Sequence, residues 1–297
     1  MINAKSRVFD RSVAMRRLFL AAVMFGAVTG AQAADMPDFL RGTLPASSTP
    51  TRNWDGWYAG GQVSQSWTNT DYGHTIVSQT NDLFRNTTLQ GPASQLNVLG
   101  RVNGQSSGFG AFVGRNFQYD DVVLGVEANY TYLTSLATSN SASLGPIQVA
   151  EPGLILPAGD TAVDGVRLNG RAALRVKDEV TFRGRAGWAT GDFLPYMFGG
   201  VAVGRMDVSS AVSSSVTRTI NDAGGGSISF PLPQFALTST VGKSDAFVVG
   251  WTAGLGLEYM VCGNVFLRGE WEYIRFVQVQ NTAVSENSVR AGLGYKF

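Results

Sequence analysis

The sequence is poor in the residues from which soluble active sites are commonly built. Its 297 residues include one cysteine, Cys262, and one histidine, His74. An intramolecular disulfide framework and a His/Cys zinc site within one chain are therefore excluded. Charged residues make up 15% of the chain, with only four lysines, where roughly 25% is usual for a soluble domain. After residue 33 there is no uncharged apolar run of the ~18 or more residues that a membrane helix needs. What is abundant is glycine, at 36 residues, together with 17 Phe, 9 Tyr and 6 Trp. Such a chain is too apolar and too aromatic to remain disordered.

The N-terminus reads as a targeting segment. Residues 1–17 carry Lys5, Arg7, Arg11, Arg16 and Arg17 against a single Asp10, and residues 18–30 form a short apolar core. Ala31-Gln32-Ala33 follows, the small-residue pattern at which a secretory signal is cut. The expectation is a Sec-type signal over 1–33, with translation starting at either Met1 or Met15. Removing five basic and one acidic residue from totals of 23 and 22 leaves 18 against 21, a net charge of −3. A mildly acidic mature chain argues against nucleic acid as a partner. Residues 34–55 hold three prolines and no apolar period, and read as a linker on the periplasmic side.

From Gly56 the pattern becomes one of strands. Eight segments alternate with a period of two, at about 57–68, 107–118, 122–134, 171–189, 194–207, 246–260, 264–276 and 288–297. Tight turns at 119–121, 190–193 and 261–263 alternate with long connections at 69–106, 135–170 and 208–245 and a shorter one at 277–287. Bacterial outer-membrane barrels have this asymmetry, with short periplasmic turns and long external loops. A soluble sandwich or barrel also alternates, but it turns its apolar face inward.

Four strands have legible faces. Val265, Leu267, Gly269, Trp271 and Tyr273 oppose Phe266, Arg268, Glu270 and Glu272; Val122, Leu124, Val126, Tyr130 and Tyr132 oppose Glu127 and Asn129. Leu174, Val176, Val180, Phe182, Ala186 and Trp188 share a face against Arg171, Arg175, Lys177, Glu179, Arg183 and Arg185. Phe247, Val249, Trp251, Leu255, Leu257 and Tyr259 oppose Thr252 and Glu258, while the faces of 57–68 and 107–118 are unassigned. Aromatic residues gather near strand ends, among them Trp57, Tyr58, Trp67, Tyr130, Trp188, Tyr196 and Trp271, as in interfacial girdles.

The last strand sets Val289, Ala291, Leu293, Tyr295 and Phe297 on one face, and the chain stops on Phe297. This resembles the C-terminal signal by which bacterial barrels are recognised by their outer-membrane insertion machinery, through Val289, Leu293, Tyr295 and Phe297. Trp54-Asp55-Gly56-Trp57-Tyr58-Ala59-Gly60-Gly61 resembles the opening motif of the small porin-like outer-membrane barrels of alphaproteobacteria. The stretches from Phe182 to Trp188 and from Phe193 to Ala202 are similar to that family's central signature. The resemblance implies an all-β fold: an eight-stranded, up-and-down antiparallel transmembrane barrel of OmpA-like topology over 56–297, located in the outer membrane. The loops look long for the family, so a loop-borne function does not carry over.

Eight strands leave an interior just wide enough to be filled by side chains. Glu127, Arg183, Arg185, Glu258, Arg268, Glu270 and Glu272 are the expected fillers, as a paired charge network. The functional expectation is a structural envelope barrel in contact with outer-membrane lipid and lipopolysaccharide. Three alternatives stand beside it: a narrow porin, a loop-mediated adhesin or recognition protein, and a lipid-modifying enzyme. The last would rest on His74, three residues after Asp71 in a polar stretch, with no general-base partner evident. Cys262 lies in an expected periplasmic turn, and Gly224-Gly225-Gly226 lacks the Lys-Ser/Thr of a phosphate loop. No catalytic residue, cofactor or metal is expected. The apolar tips at 153–156 and 230–235 are expected to fold over the barrel mouth.

Overall fold

A computed structural model describes residues 52–95 and 98–297. The expected signal segment and all but the last four residues of the expected linker lie outside the described residues. Nine strands follow in order: β1 (Gly56–Asp71), β2 (Arg101–Tyr119), β3 (Val122–Ala150), β4 (Thr161–Trp188), β5 (Phe193–Asn221), β6 (Ser227–Pro231), β7 (Thr238–Cys262), β8 (Val265–Phe276) and β9 (Ala283–Lys296). Successive strands pair antiparallel, β5 with β7, and β9 returns to β1, so all but β6 form one closed ring of eight. Closure removes every sheet edge along the ring, the condition a sheet must meet in lipid. The five-residue β6 merely pairs back onto the far end of β5.

At one end of the ring the connections are tight. Asp120 and Gly263 take φ of 53° in the turns after β2 and β7, the left-handed geometry that lets two strands reverse in a few residues. Below the level of Tyr132, Asp178 and Arg205 the wall has an apolar outside. Trp57, Val63, Phe109, Val126, Phe182, Met197, Trp251, Leu255, Leu267, Trp271, Val289 and Leu293 all point out and are exposed. The inward residues at the same levels include Gln62, Asn129, Thr252 and the charged set. β1 and β2, whose faces the alternation leaves open, follow this rule: Trp57, Val63 and Trp67 point out against Tyr58, Gln62 and Ser64, and Phe109 and Val113 point out against Phe112 and Asn116.

Above that level the polarity inverts. Register shifts fall together between Tyr132 and Leu136 in β3, between Val176 and Asp178 in β4, and between β5 and β7 beside Met206 and Val208. An extra residue in one strand flips the parity of all that follows it. Leu174 and Val176, expected on the face of Phe182 and Trp188, are therefore buried inside, and Arg171 and Arg175 point outward.

Residues 135–170 and 208–245, expected as long loops, are largely strand. β3, β4, β5 and β7 run 29, 28, 29 and 25 residues and project as a four-stranded wall. The outer face of this wall carries Ser139, Ser141, Ser143, Asn169, Ser209 and Ser215. Polar small residues suffice there because nothing greasy has to meet lipid, and the apolar alternation that marks the lower strands is lost.

The long β1–β2 connection covers the inner face of this wall. It contains two short helices, α1 (Val77–Leu83) and α2 (Gln90–Ser94). Tyr72, Ile76, Phe84, Leu89 and Leu99 from it are buried among Leu136, Leu168, Leu174, Val176, Val212 and Val216. Each such side chain is worth about 1.5–3 kcal/mol when fully buried. The Tyr72 hydroxyl also donates to the Thr138 carbonyl at 2.8 Å, anchoring the connection to β3. The two apolar tips part company. Leu232 and Phe235 pack into this core as expected, whereas Ile155 is fully exposed at a tip that does not fold over the mouth.

Candidate functional site

The interior of the lower barrel is filled in layers. At the short-turn end Trp54, Tyr58, Phe112, Leu194, Tyr196, Phe198, Met260 and Phe266 form an aromatic plug. Trp54 lies only two residues before β1, yet it is buried edge-on against Phe266, with centroids 6.2 Å apart. Tyr58 and Tyr196, expected in the outer girdle, point inward because each sits on the even-numbered, lumen-facing side of its strand. Glycine makes room for both rings. A Cβ on Gly114 would come within 2.3 Å of the Tyr58 hydroxyl, and one on Gly256 within 2.3 Å of the Tyr196 ring.

Charges sit directly on this plug. Arg183 reaches Glu127 at 2.5 Å and Glu270 at 2.8 Å; Arg185 reaches Glu258 at 2.8 Å. Arg268 joins Glu127 at 2.8 Å to Glu258 at 2.6 Å. Glu272 accepts from the Thr252 hydroxyl at 2.5 Å and lies 3.5 Å from Arg183. All seven residues singled out from the sequence thus meet in the lumen, from β3, β4, β7 and β8. The tyrosines are tied in from below, Tyr58 donating to Glu127 at 2.7 Å and Tyr196 to Glu270 at 2.5 Å. The guanidiniums also lie over ring faces, Arg268 on Phe112 at 3.8 Å, Arg185 on Tyr196 at 3.9 Å and Arg183 on Phe198 at 4.1 Å. Each contact adds about 2 kcal/mol where water is excluded.

Three further charged residues of this lumen, Glu179, Glu286 and Arg290, are not among the seven expected fillers, although the alternation puts Glu179 on the face of Arg183. Arg290 bridges Glu179 at 2.7 Å and Glu272 at 2.5 Å, and Glu286 lies further along β9. The signal for Arg290 was its parity, opposite Val289 and Ala291. Beside it Gln62, Asn129 and Thr131 continue the polar filling, with Gln62 donating to Asn129 at 2.8 Å and Arg290 donating to Asn129 at 3.4 Å.

The other candidates lie apart. Val289, Leu293 and Tyr295 on β9, with Phe297 just past its end, form an exposed outward row beside β1 and β8. His74 is exposed on the β1–β2 connection. Its neighbour Asp71 is held below the usual carboxylate range by the Gly73 N–H and then by Arg101, so its lone pairs serve those groups. Cys262 is exposed at the end of β7. Just above the inversion level an outward ion cluster links Lys177 to Asp207 and Asp245, both at 2.9 Å, and Arg205 to Asp178. Exposed pairs of this kind contribute little stability, about 0–1 kcal/mol each. Among the described residues no group of three or more His, Cys, Asp or Glu is arranged to hold a metal.

The model of the outer membrane protein beta-barrel domain matches residues 19–297. The chain belongs to that family. It is an outer-membrane β-barrel, so the apolar outer band faces lipid, the short turns face the periplasm and the projecting wall faces outward. The 31 kDa outer-membrane immunogenic protein of Brucella melitensis is 27% identical over 296 residues, covering 95% of this chain and all of that protein. The 25 kDa outer-membrane immunogenic protein of Brucella ovis is 24% identical over 255 residues, 85% of this chain and 83% of its own. Among solved structures, Neisserial surface protein A aligns with 82% of this chain and 97% of its own at 14% identity and a TM-score of 0.31.

Proposed function

We propose that this outer-membrane barrel is a closed structural element of the envelope that does not conduct solutes. One observation carries the reading: the lumen is spanned by a continuous set of paired guanidiniums and carboxylates, each buried, with an aromatic plug beneath it. Eight strands give no spare diameter around such a filling, and the external mouth is stoppered by the β1–β2 connection. The enzyme alternative finds no assembled general base at His74. Reaching the membrane requires export, which residues 1–33 would direct, and insertion, for which the β9 row ending at Phe297 is the recognition element. The outer apolar band and the polar wall above it support contact with lipid and lipopolysaccharide.

Liposome swelling tests the reading. Vesicles loaded with refolded protein are expected to swell in arabinose or glycine no faster than protein-free vesicles. Swelling that grows with the amount of protein would make the barrel a narrow porin.

A further inference from the structure

The lumen charges do not balance. Within the membrane-spanning part six carboxylates are buried, Glu127, Glu179, Glu258, Glu270, Glu272 and Glu286, against four guanidiniums, Arg183, Arg185, Arg268 and Arg290. The imbalance is local. Glu127, Glu258 and Glu270 match Arg183, Arg185 and Arg268 one for one in the lower cluster. In the upper cluster Glu179, Glu272 and Glu286 are set against Arg290, with Arg183, already matched below, 3.5 Å from Glu272; six carboxylates against four guanidiniums leave an excess of two negative charges. Arg290 serves Glu179 and Glu272; Glu286, with no exposed surface, makes no ion pair among the described residues.

A second observation coincides with the excess. Glu286 has only the Ser66 hydroxyl close enough to act on its carboxylate by hydrogen bonding, and the hydroxyls of Thr68 and Ser288 beside it are buried without a hydrogen-bond partner. These residues face one another. Thr68 lies directly opposite Glu286 across the β1–β9 ladder, and Ser66 opposite Ser288, one inward position nearer the periplasm. Directly opposed side chains stand about 5 Å apart at Cβ and diagonal ones about 7–8 Å, so one small ion can touch the whole group. On the β8 side Glu286 meets Ile274, which offers nothing polar. Buried polar groups of this kind are satisfied in native proteins by water or an ion, and an isolated buried carboxylate is far too costly to leave uncompensated.

We propose that the upper lumen is a cation site, in which Glu286 and the hydroxyls of Ser66, Thr68 and Ser288 hold one alkali-metal ion. The donor set specifies the class. Calcium takes six to eight oxygens, normally with several carboxylates, and magnesium keeps an octahedron of its own waters. One carboxylate with neutral hydroxyls suits sodium or potassium. The ion halves the excess negative charge of the upper cluster and turns its buried oxygens into ligands.

The test is thermal unfolding of the full mature chain refolded in detergent, followed by near-UV circular dichroism while sodium or potassium chloride replaces choline chloride at constant ionic strength. A ligand bound only by the folded state raises the midpoint in a saturable way. The midpoint of the wild-type barrel is expected to rise by several degrees and level off. Glu286→Gln is expected to show no difference between sodium, potassium and choline. Ser288→Ala, which removes one neutral ligand, is expected to raise the half-saturating concentration about tenfold and keeps the test open if the glutamine variant does not refold. A wild-type midpoint that is the same in all three salts overturns the proposal, and so does a midpoint that responds only to acidification, because a proton then supplies the charge. An equal salt response in wild type and Glu286→Gln also overturns it.

Discussion

Replacing Glu127 with alanine is expected to destabilise the barrel by about 3–5 kcal/mol, the cost of breaking a buried ion network by removing one partner. Glu127 is the hub of the lower cluster. It accepts from Arg183, Arg268 and Tyr58, and Arg185 approaches it at 3.4 Å. Without it Arg183, Arg185 and Arg268 lose their shared acceptor and have only Glu258 and Glu270 within the lower cluster, with Glu272 3.5 Å from Arg183, and the Tyr58 hydroxyl loses its acceptor. Urea unfolding of wild type and variant in lipid vesicles, read by tryptophan fluorescence, measures the difference. A cost under about 1 kcal/mol would mean that water reaches the cluster freely. The network is not retained because ion pairs are stabilising as such. Replacing the whole set by apolar side chains of equal volume is often neutral or better, so its presence fits the filling of a lumen that must stay shut and singly packed.

The second large effect concerns the outer face. Leu255 points outward in the middle of the apolar band, between Met197 of β5 and Trp271 of β8. Leu255→Arg is expected to cost about 2–4 kcal/mol, as for arginine on the lipid face near the bilayer midplane. Ser209→Arg is its control, since Ser209 also points outward on a ring strand but lies above the register shifts. Its expected effect is within about 0.5 kcal/mol, that of an ordinary surface change. The contrast checks the polarity inversion itself, and equal costs at the two sites would place the lipid boundary elsewhere.

The lower half of the barrel was legible in the sequence because lipid imposes a period of two with an apolar outer face. That constraint made Phe182 and Trp188, Phe247 and Trp251, or Val289 and Leu293 readable as outward, and it left Arg183, Arg185 and Glu258 to the lumen. The upper wall was not legible, because its outer face meets no lipid and its serines carry no strand signal. The parity error at Leu174 and Val176 has one cause, the extra residue between Val176 and Asp178, which alternation cannot reveal. Tyr58 and Tyr196 were misassigned for a related reason. An aromatic near a strand end suits a girdle or a plug equally, and only the glycines across from them, Gly114 and Gly256, mark the plug. Glu286 fell outside the alternating segment that begins near residue 288, so the excess charge in the upper lumen was invisible until β9 was seen to start at Ala283.

Sealing of the lumen is tested most directly by single-channel recording of the refolded mature barrel in a planar bilayer, with a heat-modifiability gel on the same sample to establish that it is folded. A folded protein that passes no discrete current at any holding potential is the predicted result. Reproducible conductance steps from the wild-type barrel would contradict it and make the Arg183, Arg185 and Arg268 cluster a filter instead of a seal.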